Sequence, residues 1–262
     1  MSPLSVETHG VETATERLMI LHGIMGKGQN WRTLARRWVA DRDRLAVLVD
    51  LRCHGNSTDF EEPHTVAACA SDLLELASTV RPTLIMGHSF GGKVALSFAA
   101  RNPGTLKHLI LADAHPGLRP GRRGAEEVET ALGVLRESTD VAFKERSEFL
   151  ELCNRHGLPD GVARWLATNL LRTDAGLVMR LIASEIEALL TDYSDQDLWH
   201  VIGELTIPVS VILGGRSTVY GVEDKQRLAS FPNANVREIP DAGHWVHVEA
   251  PKAFLAALEA CS

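Results

Sequence analysis

The sequence predicts an α/β protein with a mostly parallel sheet and helices on both of its faces, and three observations support this. Short apolar runs alternate with longer runs of helical periodicity, which is typical of parallel strands joined by crossover helices. Polar or glycine-rich loops follow the predicted strands, at the edge where ligands bind in such sheets. The chain has 262 residues, which is enough for one sizeable core with an inserted subdomain.

The composition is that of an ordinary globular protein. Hydrophobic residues make up 45% of the chain and charged residues 23%, and the formal net charge is −7. This negative charge argues against a nucleic-acid partner. The four cysteines, Cys53, Cys69, Cys153 and Cys261, form no C-x-x-C pair, so free thiols in a reducing compartment are expected. No group of His, Asp and Glu has the spacing of metal ligands either, so no metal is expected.

The apolar runs and the N-terminal stretch bear on localisation. The first residues, MSPLSVETHGVETATER, have neither a basic start nor an apolar centre, and so do not resemble a secretory signal. No apolar run approaches the roughly 18 residues that are needed to cross a bilayer. These features predict a cytoplasmic protein without a membrane span, and they leave its oligomeric state open.

Strands and helices alternate through the first half of the chain. Strands are predicted at residues 18–21, 45–49, 84–86 and 107–113, with a short edge strand near residues 6–11. Helices with one apolar face are predicted at residues 31–40 and 65–79 and again after residue 90. Since the carboxyl ends of parallel strands share one edge of a sheet, the residues at those ends are expected to lie together. They are His22, Asp50, Ser89 and Asp113.

The pattern changes between residues 115 and 205, where no strand-like run is evident. Helices are predicted there at residues 126–137, 141–155, 159–171 and 177–190. We therefore expect a core of residues 1–114 and 206–262, interrupted by an all-helical cap of residues 115–205. Strands at 208–213 and 235–239 and helices at 223–230 and 251–260 complete the core. Because the cap follows a strand end, it is expected to cover the site as a lid that sets substrate choice.

The segment that organises the chain is TLIMGHSFGGKVALSFAAR, residues 83–101. A strand that turns into a helix around the serine of a G-x-S-x-G is a nucleophile elbow. Such a turn strains the serine backbone, and Gly87 and Gly91 relieve the crowding because they lack a Cβ. The hydroxyl of Ser89 is then expected at a helix N-terminus, where free N–H groups favour developing negative charge.

Serine is a poor nucleophile unless a base takes its proton, and that base is usually a histidine held by a carboxylate. Among the eleven histidines, His244 in DAGHW lies in the loop after the last predicted strand, which is its place in this chain order. Acyl transfer also needs donors for an oxyanion. The N–H of Phe90, directly after Ser89, and the N–H of Ile24 in the HGI loop are the expected donors.

Four motifs in order resemble the α/β-hydrolase superfamily over nearly the whole chain. They are LHGIMGKGQNW, DLRCHGNS, GHSFGGKVAL and AGHWVHVEAP, and as a set they look like the small acyl-esterase group, which includes compact bacterial esterases and mitochondrial relatives. The resemblance implies the α/β-hydrolase fold and an enzyme of carboxylesterase or thioesterase type. It implies hydrolysis of small-molecule esters or thioesters through an acyl-enzyme, without a cofactor.

The chain departs from that family at the expected carboxylate. Many members have a G-x-x-D after the strand that corresponds to residues 208–213, whereas this chain reads GGRS and has Ser217 where the acid belongs. A second acid position in the superfamily is the end of the strand after the nucleophile helix, and Asp113 occupies it. We expect Asp113 to orient His244, and Asp224 remains the alternative.

The remaining expectations concern the pocket and its surroundings. Met25, Trp245 and Val246 are candidates for the substrate pocket, although several of the apolar residues near the site fit the core equally well. Asp50 and Arg52 are interpreted as residues that hold a loop. The arginines of GLRPGRRG, Arg119, Arg122 and Arg123, are expected in a solvated loop.

Two other functions remain open at the level of the sequence. The same serine and histidine would also serve reactions at carbon–carbon bonds, lactones or peracids, because the inserted cap decides the pocket. A non-catalytic ligand-binding receptor can keep this fold as well, although the intact Ser89 and His244 argue against that reading.

Overall fold

A seven-stranded sheet lies at the centre of the computed structural model, which describes residues 4–102, 104, 106–119 and 126–261. Its strands are β1 Val6–Gly10, β2 Glu16–Leu21, β3 Arg44–Val49, β4 Leu84–His88, β5 His108–Ala112, β9 Val209–Gly214 and β10 Ala234–Ile239. They lie in the order β1-β3-β2-β4-β5-β9-β10. Only β1 runs antiparallel to its neighbour in this sheet, so the predicted mostly parallel sheet is confirmed.

Helices cover both faces of this sheet, as the alternating pattern predicted. The core helices are α1 Arg32–Val39, α2 Val66–Val80, α3 Phe90–Arg101, α9 Val222–Ala229, α10 Val246–Glu249 and α11 Pro251–Glu259. The side chains of Trp38 and Phe254 pack α1 and α11 against one face of the sheet. Leu73 and Phe98 pack α2 and α3 against the other face. Strands β3 and β9 are buried along their whole length, because a parallel sheet covered on both sides needs nearly continuous apolar strands.

The segment between β5 and β9 is not all-helical, which corrects the prediction from the sequence. It contains α4 Glu126–Glu137, β6 Ala142–Phe143, α5 Arg146–Arg155, α6 Asp160–Leu166, β7 Leu170–Thr173, β8 Gly176–Met179, α7 Ala183–Asp195 and α8 Trp199–Glu204. The strands form a small antiparallel sheet in the order β6-β8-β7. Short apolar runs fit a strand and a helix about equally well. Here β7 and β8 pair across a two-residue turn, and β6 pairs with β8 from further back in the chain.

Several hydrogen bonds attach this cap to the core. The ammonium of Lys93 on α3 is fully buried and donates to the carbonyl oxygens of Tyr193 at 2.5 Å and Gln196 at 2.9 Å. Burial lowers the pKa of Lys93 to about 8. The side-chain amide of Asn169 donates to the carbonyl oxygen of Met25 at 2.9 Å. The cap is therefore held next to the loop that follows β2 and next to the helix that follows Ser89.

Among the described residues, none of the helices has the length and the apolar character that a bilayer crossing requires.

Candidate active site

Ser89 lies in a tight turn between β4 and α3, as the motif predicted. Its backbone has φ 50° and ψ −117°, a conformation that strains any residue with a side chain. A Cβ at Gly87 would lie 2.1 Å from the carbonyl oxygen of Gly91, and a Cβ at Gly91 would lie 2.5 Å from that of His22. The turn therefore requires glycine at both positions, and it presents Ser89 at the N-terminus of α3.

Asp113 and His244 are in direct contact although they are far apart in the sequence. The Nδ1 atom of His244 lies 2.7 Å from Oδ2 of Asp113, and the Asp113 side chain is only 1% exposed. The same Oδ2 accepts a hydrogen bond from the Ser217 hydroxyl at 2.6 Å, and Oδ1 accepts one from the N–H of Gly214 at 3.1 Å. Ser217, at the family's usual acid position, thus supports a carboxylate that comes from another strand.

The alternative acid, Asp224, has different partners. Its Oδ2 accepts a hydrogen bond from the N–H of Gly221 at 2.8 Å at the start of α9. Its Oδ1 lies 3.2 Å from Nε2 of His115. Asp224 is therefore engaged as a helix cap and in a pair with His115, and it does not contact His244.

The loop that carries His244 is held by two residues that the sequence analysis missed. The ring Nε2 of His88 lies 3.0 Å from the carbonyl oxygen of His244, so Nε2 of His88 carries the proton. Burial lowers the pKa of His88 to about 3, so the ring stays neutral. Glu249 accepts from the N–H groups of Gly243 at 3.0 Å and Trp245 at 3.3 Å. His88 and Glu249 both lie within the four sequence motifs, and no other feature of the sequence pointed to them.

Two buried histidines hold the loop after β2. His22 accepts from the N–H of Leu51 through Nε2 at 3.0 Å and donates from Nδ1 to the carbonyl oxygen of Gly23 at 2.7 Å. His54 accepts from the N–H of Met25 through Nε2 at 3.0 Å. Burial lowers the pKa of His22 to about 4 and that of His54 to about 3, so both rings remain neutral acceptors. The role of His54 was also missed.

The contacts of His54 bear on which backbone N–H groups near Ser89 are available to a ligand. The N–H of Met25 is bound by His54, so it is not available to a ligand. Ile24 and Phe90 both line the cavity that contains Ser89, next to the Ser89 turn on two different elements. Both residues thus lie beside Ser89, where backbone oxyanion donors were expected.

Asp50 and Arg52 hold the loop after β3, as expected. Asp50 accepts from the N–H groups of Gly28 at 2.8 Å and Asn56 at 2.9 Å. The guanidinium of Arg52 forms a two-point pair with Asp72, with N–O distances of 2.7 and 2.9 Å. Neither residue lines the cavity at Ser89, so their part is to position this loop.

A cavity of about 370 Å³ opens at Ser89 between the core and the cap. Met25 and Trp245 line it, as proposed from the sequence, whereas Val246 does not. Val246 is fully buried beneath the site and packs with the cluster of Trp31 and Phe254, since it begins helix α10 and faces the sheet. Polar and apolar side chains both line the cavity, and its lining residues are Gly23, Ile24, Met25, His88, Ser89, Phe90, Asp113, Arg119, Glu127, Val128, Ala131, Val162, Trp165, Leu190, Tyr193, Ser194, Arg216, Ser217, Thr218, Val219, His244, Trp245 and Glu249.

Arg119 also lines this cavity, which corrects its expected place in a solvated loop. Its guanidinium donates to the carbonyl oxygen of Val219 at 2.9 Å, and its N–H donates to the carbonyl oxygen of Ser194 at 2.9 Å. The charged side chain lies at the cavity wall because the carbonyl oxygen of Val219 there accepts a hydrogen bond from it. Arg122 and Arg123 lie outside the described residues.

Ser89 and His244 share the cavity, but no hydrogen bond joins the Ser89 hydroxyl to the His244 ring in the described part of the chain. In ligand-free active sites, such hydrogen bonds are often long and shorten when substrate binds. The arrangement thus contains a strained serine, a histidine held by a buried carboxylate, and two nearby amides. Together these groups can perform nucleophilic acyl transfer.

Comparisons with known proteins find similarity to esterases and lipases. The sn-1-specific diacylglycerol lipase ABHD11 of Mus musculus is 28% identical over 271 residues, covering 98% of this chain and 84% of the lipase. Esterase YbfF of Escherichia coli strain K12 is 28% identical over 244 residues, covering 92% of this chain and 91% of the esterase. A solved structure described as a marine microorganism esterase superposes with a TM-score of 0.86 at 26% identity and covers 99% of both chains.

These relatives are esterases and lipases, and the chain is accordingly an enzyme of the esterase type. The model of the family described as "Alpha/beta hydrolase family" matches residues 18–258. The resemblance seen in the four motifs is thereby confirmed, and the chain belongs to the alpha/beta hydrolase family.

Proposed function

We propose that this enzyme hydrolyses carboxylic esters or thioesters of small molecules through an acyl-enzyme on Ser89. His244 acts as the general base, and Asp113 orients it. The observation that carries the proposal is the 2.7 Å contact between the buried Asp113 and His244, beside the strained turn of Ser89. A carboxylate that accepts from Nδ1 fixes the ring so that Nε2 is free to take a proton from the serine.

In this reaction the Ser89 oxygen attacks the carbonyl carbon of the substrate, and His244 takes the hydroxyl proton. The carbonyl oxygen becomes an oxyanion, and the N–H groups of Ile24 and Phe90 stabilise it. The intermediate collapses and expels the alcohol or thiol, which receives the proton from His244. Water then attacks the acyl-enzyme by the same route and releases the acid.

The cap side of the cavity supports an acyl-binding role. Val128, Ala131, Val162, Trp165 and Leu190 all come from the cap and line the cavity, and such apolar walls favour a hydrocarbon chain. The volume of about 370 Å³ lies near the small end of the roughly 300–1,000 Å³ range of ligand pockets. Short or medium acyl groups are therefore the expected substrates, and the cap sets that limit.

A fluorophosphonate probe tests the nucleophile directly, because it forms a covalent bond with an activated serine. We expect the probe to label Ser89 in the full-length protein, as identified by peptide mass. Ser89→Ala should lose the label and lower kcat by about 10³-fold or more, with an unchanged circular dichroism spectrum. Ser97→Ala, on the same helix but away from the cavity, is the matched control and should keep both properties.

Turnover of Ser89→Ala near the wild-type level would refute the proposal. A panel of p-nitrophenyl esters and acyl-CoA thioesters, graded by acyl length, then distinguishes esters from thioesters. If the probe labels Ser89 but no member of the panel is cleaved, the nucleophile stands and the substrate class is wrong.

A further inference from the structure

Cys53, His64 and Glu185 form a side-chain cluster between the core and the cap. Cys53 lies in the loop after β3, His64 lies just before α2, and Glu185 lies in the first turn of the cap helix α7. One ligand atom from each of the three lies within 4.8 Å of the other two. None of them lines the cavity at Ser89, so the cluster is separate from the proposed active site.

The donor set matches the chemistry of a borderline divalent ion. A thiolate sulfur, an imidazole nitrogen and a carboxylate oxygen are the three atom types that bind Zn²⁺ in proteins. Hard ions such as Mg²⁺ and Ca²⁺ prefer oxygen ligands and would not select the cysteine and the histidine. Side chains from three separate segments converge here, which a surface cluster of acids does not require.

The distance between the sulfur of Cys53 and the ring nitrogen of His64 also fits a zinc site. Sγ of Cys53 lies 3.4 Å from Nδ1 of His64. With Zn–S near 2.3 Å and Zn–N near 2.05 Å, a tetrahedral angle places sulfur and nitrogen about 3.6 Å apart. An ion can therefore reach both atoms with little movement. The Glu185 side chain is half-buried, and its carboxylate oxygen lies within 4.8 Å of both of these atoms.

The charge of a divalent ion matches the anionic forms of two of the donors. The guanidinium of Arg52, next to Cys53 in the chain, forms a two-point pair with Asp72. A Cys53 thiolate and a Glu185 carboxylate together carry two negative charges, which match a divalent cation, and His64 binds as the neutral ring. Binding releases one proton from the Cys53 thiol to solvent.

We propose that Cys53, His64 and Glu185 bind one Zn²⁺ or a similar borderline divalent ion, with water as the fourth ligand. Because Cys53 and His64 belong to the core and Glu185 to the cap, the bound ion joins α7 to the core. The site therefore stabilises the contact between cap and core, and the chemistry at Ser89 does not pass through it.

The first experiment uses Co²⁺ as a spectroscopic probe on chelator-treated, full-length protein. A cysteine ligand produces a thiolate-to-cobalt charge-transfer absorption that oxygen and nitrogen ligands do not produce. We expect this band to saturate at one equivalent of Co²⁺ and to disappear when Zn²⁺ is added. Cys53→Ser should lack the band, whereas Cys261→Ser, which changes another buried thiol far along the chain, should keep it.

The second experiment measures the melting temperature of the same protein with and without Zn²⁺. At a free concentration a hundredfold above Kd, the ion should raise Tm by about 5–10 °C. Glu185→Gln keeps the shape of the side chain and removes its charge, so it should weaken Zn²⁺ binding about tenfold or more while the protein still folds. His200→Gln, at an exposed histidine of the cap, should leave the affinity unchanged.

A charge-transfer band that is absent from the wild type, or one that persists in Cys53→Ser, would overturn the proposal. An equal rise of Tm in the wild type and in Glu185→Gln would overturn the claim that the ion joins cap and core. Should Cys53→Ser fail to fold, the Glu185→Gln comparison still decides between the two outcomes.

Discussion

The carboxylate that contacts His244 is Asp113, and the family's usual acid position is occupied by another residue. The usual acid position of the family is occupied by Ser217, whose hydroxyl donates to the same Asp113 oxygen that contacts His244. Asp113 follows β5, which is the neighbour of both β4 and β9 in the sheet. A carboxylate at the end of either β5 or β9 can therefore reach His244, because adjacent parallel strands end side by side.

The two candidate acids differ enough to be separated by substitution. Asp113→Asn should lower kcat by about 10²–10⁴-fold, because the amide no longer fixes the ring tautomer or stabilises the imidazolium. Asp224→Asn should lower kcat less than about tenfold, since Asp224 caps α9 and pairs with His115. Steady-state kinetics on a p-nitrophenyl ester, with thermal melts to confirm folding, measure both effects.

A compensating variant provides the control for this pair. Asp113→Asn combined with Ser217→Asp returns a carboxylate to the other strand end, and it should recover part of the activity that Asp113→Asn alone loses. The assignment fails if Asp224→Asn is the crippled variant and Asp113→Asn keeps wild-type turnover.

At the scale of elements, the cap contributes a wall to the cavity. Trp165 on α6 packs edge-on against Trp245 of the core, with ring centroids 4.8 Å apart and an interplanar angle of 64°, and both rings line the cavity. This contact limits the space beyond Ser89. The position of α6 therefore bears on which acyl groups can enter.

Trp165→Ala tests whether the cap sets the chain-length preference. Removing the indole lengthens the cavity, so the ratio of kcat/KM for long over short acyl esters should rise by about tenfold. The dependence of activity on pH should stay the same, because no titrating group of the site is changed. The ester panel measures the ratio, and Arg164→Ala, an exposed neighbour on α6, is the control that should leave it unaltered. An unchanged ratio in Trp165→Ala would count against a selective role of the cap.

At the scale of the whole molecule, neutral histidines hold the loops of the site together. Burial lowers the pKa of His22 to about 4 and the pKa values of His54 and His88 to about 3. An unfolded chain titrates its histidines near 6.5. Between these values the unfolded state binds more protons than the folded state, so acid favours unfolding.

The stability that these neutral histidines contribute should therefore be complete above about pH 6.5. The free energy of unfolding should then fall progressively as the pH drops toward about 3. Urea titrations at several pH values measure this slope. His54→Gln keeps an acceptor for the N–H of Met25 and removes one titrating ring, so its slope between pH 6.5 and 5 should be shallower than that of the wild type. His200→Gln, at an exposed position, should not change it. Equal slopes for His54→Gln and the wild type would contradict this account.

Some features of the fold follow from local sequence rules, and others depend on packing. The turn at Ser89 followed from local steric rules, because only glycine fits at positions 87 and 91 beside a strained serine. The helix over 126–137 was predicted with the bounds that the structure shows, because its periodicity is long and clear. By contrast, residues 170–179 form a strand pair, and Val246 is part of the core. A short apolar stretch fits a strand, a helix or the core about equally well, so its assignment depends on the packing around it.

The sequence by itself determined the mostly parallel sheet, the strand–turn–helix around Ser89, and the family, because these follow from local periodicity, glycine positions and motif order. Only the tertiary structure decided that Asp113 contacts His244, that Ser217 supports it, and that His54 and His88 hold the neighbouring loops. It alone brought Cys53, His64 and Glu185 together, although their spacing along the chain predicted no metal site. Contacts of this kind join residues that are remote in the chain, so they arise from how strands and cap pack and not from any local pattern.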